Sequence, residues 1–225
     1  MFKIVLATKN LSKKREIEEI IRLKDIYPVK SPEISLEGAG KPLFNGVRFL
    51  SLAHYPSFPE IEEDGKNFRE NAIKKALATA NFTQELALAD DSGLEVEVLK
   101  GEPGIHSARF AGEKKDDRAN IKKLLELLKG VPQEKRQAKF RCVIALAKPG
   151  RVIKVAEGVC KGFITFEPKG NFGFGYDPVF FLPSYDKTFA ELDPQVKNRI
   201  SHRAKAIEKI NQSLQNVKLA LRNAK

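Results

Sequence analysis

Residues 86–91 read LALADD, an apolar run too short for a helix that ends in two adjacent aspartates, Asp90 and Asp91. Its length and its bounding polar residues predict a buried strand. Carboxylates at the end of such a strand cost free energy unless they are hydrogen-bonded, paired with cations or bound to a metal. The fold must therefore bring partners to that point, and strand ends are where mixed α/β proteins place their chemistry. Cations are in good supply, since 40 Lys and Arg face 29 Asp and Glu for a net charge of +11.

The rest of the chain supplies the elements for such a fold. FKIVLA at the N-terminus is a second buried-strand run, and Ile17, Ile20 and Ile21 after it keep helical spacing. Phe68, Ala72, Ala76 and Ala80 mark one face of a helix over about 67–80, with Asp64 or nearby polar groups as its cap. Ile121, Leu124, Leu125 and Leu128 mark another, ended near Gly130 and Pro132. Strands around 140–147 and 151–159 are joined by Pro149-Gly150, which predicts a hairpin. Ile207, Ile210, Leu214, Val217 and Leu221 form a long stripe better suited to core packing than to a coiled coil. The pattern is α/β, a mixed sheet flanked by helices, as one large domain or two closely packed lobes. Residues from about 25 to 46 break periodicity with prolines and glycines and read as a long loop insertion or a small hairpin extension. GAGK within it lacks the spacing of a phosphate loop.

Several classes drop out. No apolar run is long enough for a membrane span and the N-terminus does not read as a signal peptide, so a soluble cytoplasmic protein with no membrane partner is expected. Cys142 and Cys160 lack metal spacing and read as reduced core thiols. The basic clusters Lys13-Lys14-Arg15, Lys114-Lys115, Arg118 and Lys122-Lys123 are scattered over several elements, as solvated faces are. Charge alone does not choose among nucleic acid, anionic membrane and nucleotide.

Four stretches carry candidate chemistry. Glu62, Glu63 and Asp64 form a second acidic group, which reads either as a solvated helix start or, if it converges with Asp90 and Asp91, as hard oxygen ligands for Mg²⁺. ATKNLSK passes from strand into helix, where backbone N–H groups, Thr8, Asn10, Ser12 and Lys13 suit phosphate oxygens. GFGYDP combines an aromatic face with flexible backbone and fits a stacked base or an ordinary turn. KNRISHR puts Ser201 at a helix cap with His202 and Arg203 in the first turn.

In their order, ATKNxxK, EEDGxxFxxNAxxKA, ADDSGLEV with PGxxSARFAG, GFGYDPxF and KNxISHRxxA resemble the inosine triphosphate pyrophosphatase family over nearly the whole chain. The resemblance implies a single Mg²⁺-dependent hydrolase domain over 1–225. It would release a nucleoside monophosphate and pyrophosphate from XTP, ITP or dITP, built as a strongly twisted mixed sheet with two lobes around a central cleft, commonly a homodimer. It implies Asp91 as the acid that positions or deprotonates water, with Glu62 and Asp91 on the metal and Ser92 on the substrate. Thr8, Lys9, Asn10, Leu11, Ser12 and Lys13 would serve the phosphates. Phe174, Gly175, Tyr176 and Asp177 would hold the base, and Lys197, His202 and Arg203 would complete its pocket. The chain departs from the family pattern in the 25–46 insertion and in Phe172, where glycine is common.

Two rival readings have their own signatures. A nucleic-acid-binding module would use Phe172, Phe174 and Tyr176 as stacking platforms, although no recognised nucleic-acid motif accompanies them. A pyrophosphatase of pyrimidine triphosphates would share the phosphate chemistry and differ in the base.

Overall fold

A computed structural model describes residues 2–26 and 47–223. Strand β1 (Phe2–Leu6) carries the apolar run Ile4, Val5 and Leu6, all fully buried, as in a strand covered on both faces. Helix α1 (Leu11–Ile26) follows, then β2 (Val47–Ser51), α2 (Phe68–Thr83), β3 (Leu86–Val96) and α3 (Asp117–Leu127). The chain continues through β4 (Gln137–Lys148), β5 (Arg151–Ile164), β6 (Phe180–Leu182), β7 (Lys187–Thr188), α4 (Pro194–Ile200) and α5 (His202–Asn223).

The strands form one seven-stranded sheet in the order β2-β1-β3-β4-β5-β6-β7. Strand β1 runs parallel to β2, from Phe2 opposite Val47 to Leu6 opposite Ser51, and parallel to β3 from Ile4 opposite Leu86 to Leu6 opposite Leu88. Strands β5, β6 and β7 pair antiparallel, so the sheet is mixed. The two residues between β4 and β5 make the expected hairpin, with Gly150 at a φ of +75° where a Cβ is disfavoured. Two compact units divide the chain. One comprises Met1–Asp90, Val143–Ala156 and Ala206–Lys225, the other Asp91–Cys142 and Glu157–Lys205.

In the first unit, α1 buries Ile17, Ile20 and Ile21 and α2 buries Phe68, Ala72, Ala76 and Ala80, both at the anticipated spacing. Of the polar groups before α2 it is Asn67 that caps it: its side chain accepts from the Glu70 N–H at 3.0 Å, while Asp64 pairs with Lys74. In the second unit Phe140, Phe180 and Phe189 lie within 4.6–5.8 Å of one another among Leu94, Val96, Leu124 and Leu128. Truncating Phe180 or Phe189, both fully buried, would cost about 3–5 kcal/mol. Arg136 is 3% exposed and each of its three guanidinium nitrogens donates to a carbonyl, those of Leu128, Val131 and Thr165.

Several elements differ from expectation. Strand β3 does not stop at the aspartates but runs on to Val96, because Leu94 and Val96 continue the buried face beyond them. Strands β2, β6 and β7 and helix α4 were not anticipated, and β6 and β7 are only 3 and 2 residues long. Residues 25 and 26 belong to α1, and the remainder of the predicted 25–46 loop lies outside the described residues.

Candidate active site

Although Asp90 and Asp91 lie inside β3, they do sit at an end, that of the parallel ladder. The register of β1 on β3 stops at Leu88, where the Ala7 N–H donates to the Leu88 carbonyl. The two acids follow within the next three residues, 3% and 8% exposed. They are thus placed at the carboxyl end of parallel strands, the usual position for a site in an open α/β sheet.

In the first unit, the turn after β1 is fastened by its own polar residues. The Thr8 hydroxyl accepts from the Asn10 N–H at 3.1 Å, and the Asn10 side chain accepts from the Lys13 N–H at 3.0 Å, an N-cap for α1. The Thr8 carbonyl accepts from Leu52. Lys9, Asn10, Leu11 and Ser12 are exposed on this turn. Lys13 places its ammonium 2.9 Å from Asp90 Oδ1, so one of the two buried acids has its cation, and Lys13 is not the solvated residue its cluster suggested. The acidic segment before α2 is also held. Glu63 pairs with Lys75 at 2.7 Å, Asp64 pairs with Lys74 at 2.7 Å, and the Gly65 N–H donates to Asn71 at 2.8 Å. Glu62 is exposed, and among the described residues no cation pairs with it.

The second unit holds Asp91, Ser92 and the base-side candidates. Ser201 stops α4 and starts α5: its N–H donates to the Lys197 carbonyl at 3.0 Å and its hydroxyl accepts from the Ala204 N–H at 3.2 Å. The predicted cap is therefore present, and His202 and Arg203 occupy the first turn. Arg203 is 2% exposed, donates to the Ser92 hydroxyl at 3.3 Å and stands 5.7 Å from the centre of the Phe174 ring. Lys197 meets the same ring at 5.1 Å while its ammonium is 2.6 Å from Asp177. His202 stacks on Phe140 at 4.7 Å, within the aromatic core.

The GFGYDP loop is tied down residue by residue. Asp177 Oδ2 accepts from the Phe174 N–H at 2.8 Å, and Asp117 on α3 accepts from the Gly175 N–H at 2.7 Å. Gly173 has a φ of +80°, and a Cβ there would lie 2.0 Å from Asp177 Oδ2, so glycine is required. Tyr176 is 4% exposed and its hydroxyl donates to the Ser107 carbonyl at 2.9 Å. Burial pushes its phenol well above the ordinary value, with a smaller contribution from the Asp117 charge. The stacking trio of the nucleic-acid reading is therefore not formed. Phe172 is exposed and Phe174 half-buried, but Tyr176 faces the interior.

Sequence reasoning missed the residues that hold these loops. Asn120, 2% exposed, accepts from Ala111 and donates to the Ala108 carbonyl, and the Ser107 hydroxyl accepts from Leu94, which together fix the SARFAG turn. Asn71 and Asp117 act similarly at EEDG and GFGYD. Asn71 and Ser107 lay inside recognised motifs, and nothing local marks Asn120 and Asp117. Cys142 and Cys160 are buried thiols outside any disulfide, and burial pushes the Cys160 thiol up. Among the described residues no group of three or more His, Cys, Asp or Glu is gathered to hold a metal, and no helix is long and apolar enough to cross a membrane.

Comparison with known proteins agrees with the ordered motifs. A dITP/XTP pyrophosphatase of Desulforamulus reducens is 55% identical over 207 residues, 92% of each chain. One from Shouchella clausii is 46% identical over 217 residues, 96% of this chain and 98% of the relative. The solved structure of a HAM1 protein from Coxiella burnetii superposes with a TM-score of 0.77 at 41% identity, covering 96% of this chain and all of that one. With the family model itself matched over residues 4–213, the chain belongs to the Ham1 family.

Proposed function

We propose that this protein hydrolyses deaminated purine nucleoside triphosphates, XTP, ITP and dITP, to the monophosphate and pyrophosphate, as a single catalytic domain over 1–225. The observation that carries the base side is the buried Arg203, which reaches both Ser92 and the Phe174 ring from the first turn of α5. A guanidinium offers several donors in a fixed fork. The 6-keto oxygen of hypoxanthine or xanthine accepts from it, whereas the 6-amino group of adenine presents another donor and leaves both unsatisfied. Lys197, on the same ring, adds a second cation and His202 stiffens the helix start by stacking in the core. The pyrimidine reading is disfavoured by the relatives, which are dITP/XTP pyrophosphatases, since uracil and thymine carry a keto acceptor of their own.

On the phosphate side, the turn Thr8–Lys13 offers the N–H groups of Lys9, Leu11 and Ser12 at a helix start, those of Asn10 and Lys13 being held by the turn itself, and Lys13, already on Asp90, adds an ammonium. A triphosphate carries about four negative charges at neutral pH, so binding it calls for such cations. The carboxylates fit Mg²⁺, which prefers oxygen ligands, keeps several waters and needs only one or two protein carboxylates. Glu62 suits this because its neighbours Glu63 and Asp64 are already engaged by lysines, and with it Asp91 would hold the ion. When bound, Mg²⁺ neutralises phosphate oxygens and eases departure of the leaving group. Asp91 positions a water and takes its proton as the water oxygen bonds to the α-phosphorus. The bond from that phosphorus to the α,β-bridging oxygen breaks, and pyrophosphate leaves with the electron pair.

The reading includes a cytoplasmic homodimer, in keeping with the family resemblance; light scattering on the purified chain measures the mass. The activity is tested by incubating the protein with a panel of nucleoside triphosphates and Mg²⁺ in ¹⁸O water. Labelled monophosphate from the 6-keto purines supports the proposal. Cleavage of pyrimidines in preference, or label only in pyrophosphate, overturns it, and salt-dependent oligonucleotide binding without cleavage returns the nucleic-acid reading.

A further inference from the structure

We propose that Asp117, in the first turn of α3, is a positioning residue for base recognition that acts by holding the amide of Gly175. The inference rests on the reading of Phe174 as the face of the base pocket. The loop from Asn171 to Asp177 contains Gly173 and Gly175 at φ of +80° and +62°, a backbone with much conformational freedom to lose. Its rigidity comes from one bond within the loop and several from outside. The Asn171 and Phe172 N–H groups donate to the Ala190 carbonyl at 3.0 Å each, and the Phe174 N–H donates to Asp177. The next amide, that of Gly175, donates to Asp117 Oδ2 at 2.7 Å, 58 residues away in sequence.

Asp117 is well founded for this task. Asp116 caps α3 by accepting from Arg118 and Ala119, so Asp117 is not needed as the cap, and Leu124 and Leu128 anchor the helix fully buried. Around Gly175 itself there is open space where a side chain would stand, so no packing substitutes for the hydrogen bond. The bond is charge-assisted, and losing it releases the amide immediately after Phe174 to water. Because Phe174 is the ring that Lys197 and Arg203 both meet, slack in the loop weakens the grip on the base and leaves the chemistry at Asp91 untouched.

The test uses the full chain with Asp117→Ala and Asp117→Asn, the latter keeping an acceptor oxygen without the charge. With ITP and Mg²⁺, D117A should raise KM roughly five- to tenfold with kcat within about twofold, and D117N should recover most of the loss. Independently of turnover, amide exchange followed by NMR should show the Gly175 N–H protected in the wild type and D117N and exposed in D117A. An unchanged Gly175 exchange rate in D117A, a fall in kcat with KM unaltered, or D117N no better than D117A overturns the proposal. If the wild type does not cleave 6-keto purine triphosphates, the functional reading fails, while the exchange measurement still decides whether Asp117 holds the loop.

Discussion

Replacing Arg203 with alanine removes a guanidinium that is 2% exposed, 3.3 Å from Ser92 and 5.7 Å from the centre of the Phe174 ring. If it donates to the purine 6-keto oxygen, the lost bond is charge-assisted and worth about 1.5–3 kcal/mol. At about 1.36 kcal/mol per decade, kcat/KM for ITP or XTP should fall roughly 10- to 150-fold. ATP never made that bond and should lose much less, so the preference for 6-keto purines narrows because the good substrates become worse. Arg203→Lys keeps the charge but not the planar fork and should fall between the two. The assay is steady-state release of pyrophosphate from ITP, XTP and ATP, with circular dichroism to verify the fold. Equal losses for ITP and ATP would mean that Arg203 serves phosphate or the fold, and the account of base selection would be wrong.

Asp91→Asn should abolish turnover with the thermal transition nearly unchanged, since an amide takes no proton and ligates Mg²⁺ poorly; wild-type rates in the pure variant refute its role. Gly173→Ala must place a Cβ 2.0 Å from Asp177 Oδ2 at a φ of +80°, displacing the partner of Lys197. Breaking a buried ion pair costs about 3–5 kcal/mol, and at the low end Tm should drop roughly 6–12 °C by calorimetry, an unaltered Tm counting against the geometry. Because burial raises the Cys160 thiol, its reactive thiolate is scarce at neutral pH and grows only as pH climbs through the raised value. Disulfide reagents at pH 7–8 should therefore label it slowly in the folded protein and fast in denaturant, and equal rates would contradict the burial.

What was legible in the sequence and what was not separate by the range of the forces involved. Helices α1, α2 and α3 and the β4–β5 hairpin rest on periodicity and a turn signal within a few residues of each other, and they appear where expected. Strand β3 extends past Asp90 because its neighbours in the sheet and the buried Leu94 and Val96 outweigh the poor strand propensity of Asp-Asp-Ser-Gly. Strands of 3 and 2 residues, β6 and β7, carry too little pattern to be read at all. The same division runs through the candidate site. Ser201 could be recognised as a cap from its local context, but the Lys13–Asp90 pair and the bond from Gly175 to Asp117 join residues far apart in sequence.

The joint at Ser201 has a consequence for how this site can change over time. One residue separates α4 from α5, and its backbone and hydroxyl are both spoken for, so Lys197 and Arg203 are delivered to the Phe174 ring as a single prefabricated bracket. Neither cation can be shifted toward a differently shaped base without dragging the other along. Drift in substrate preference is thereby channelled into the ring and the loop that carries it, where one substitution can act alone, and the bracket is left as the inherited gauge against which each new base is measured.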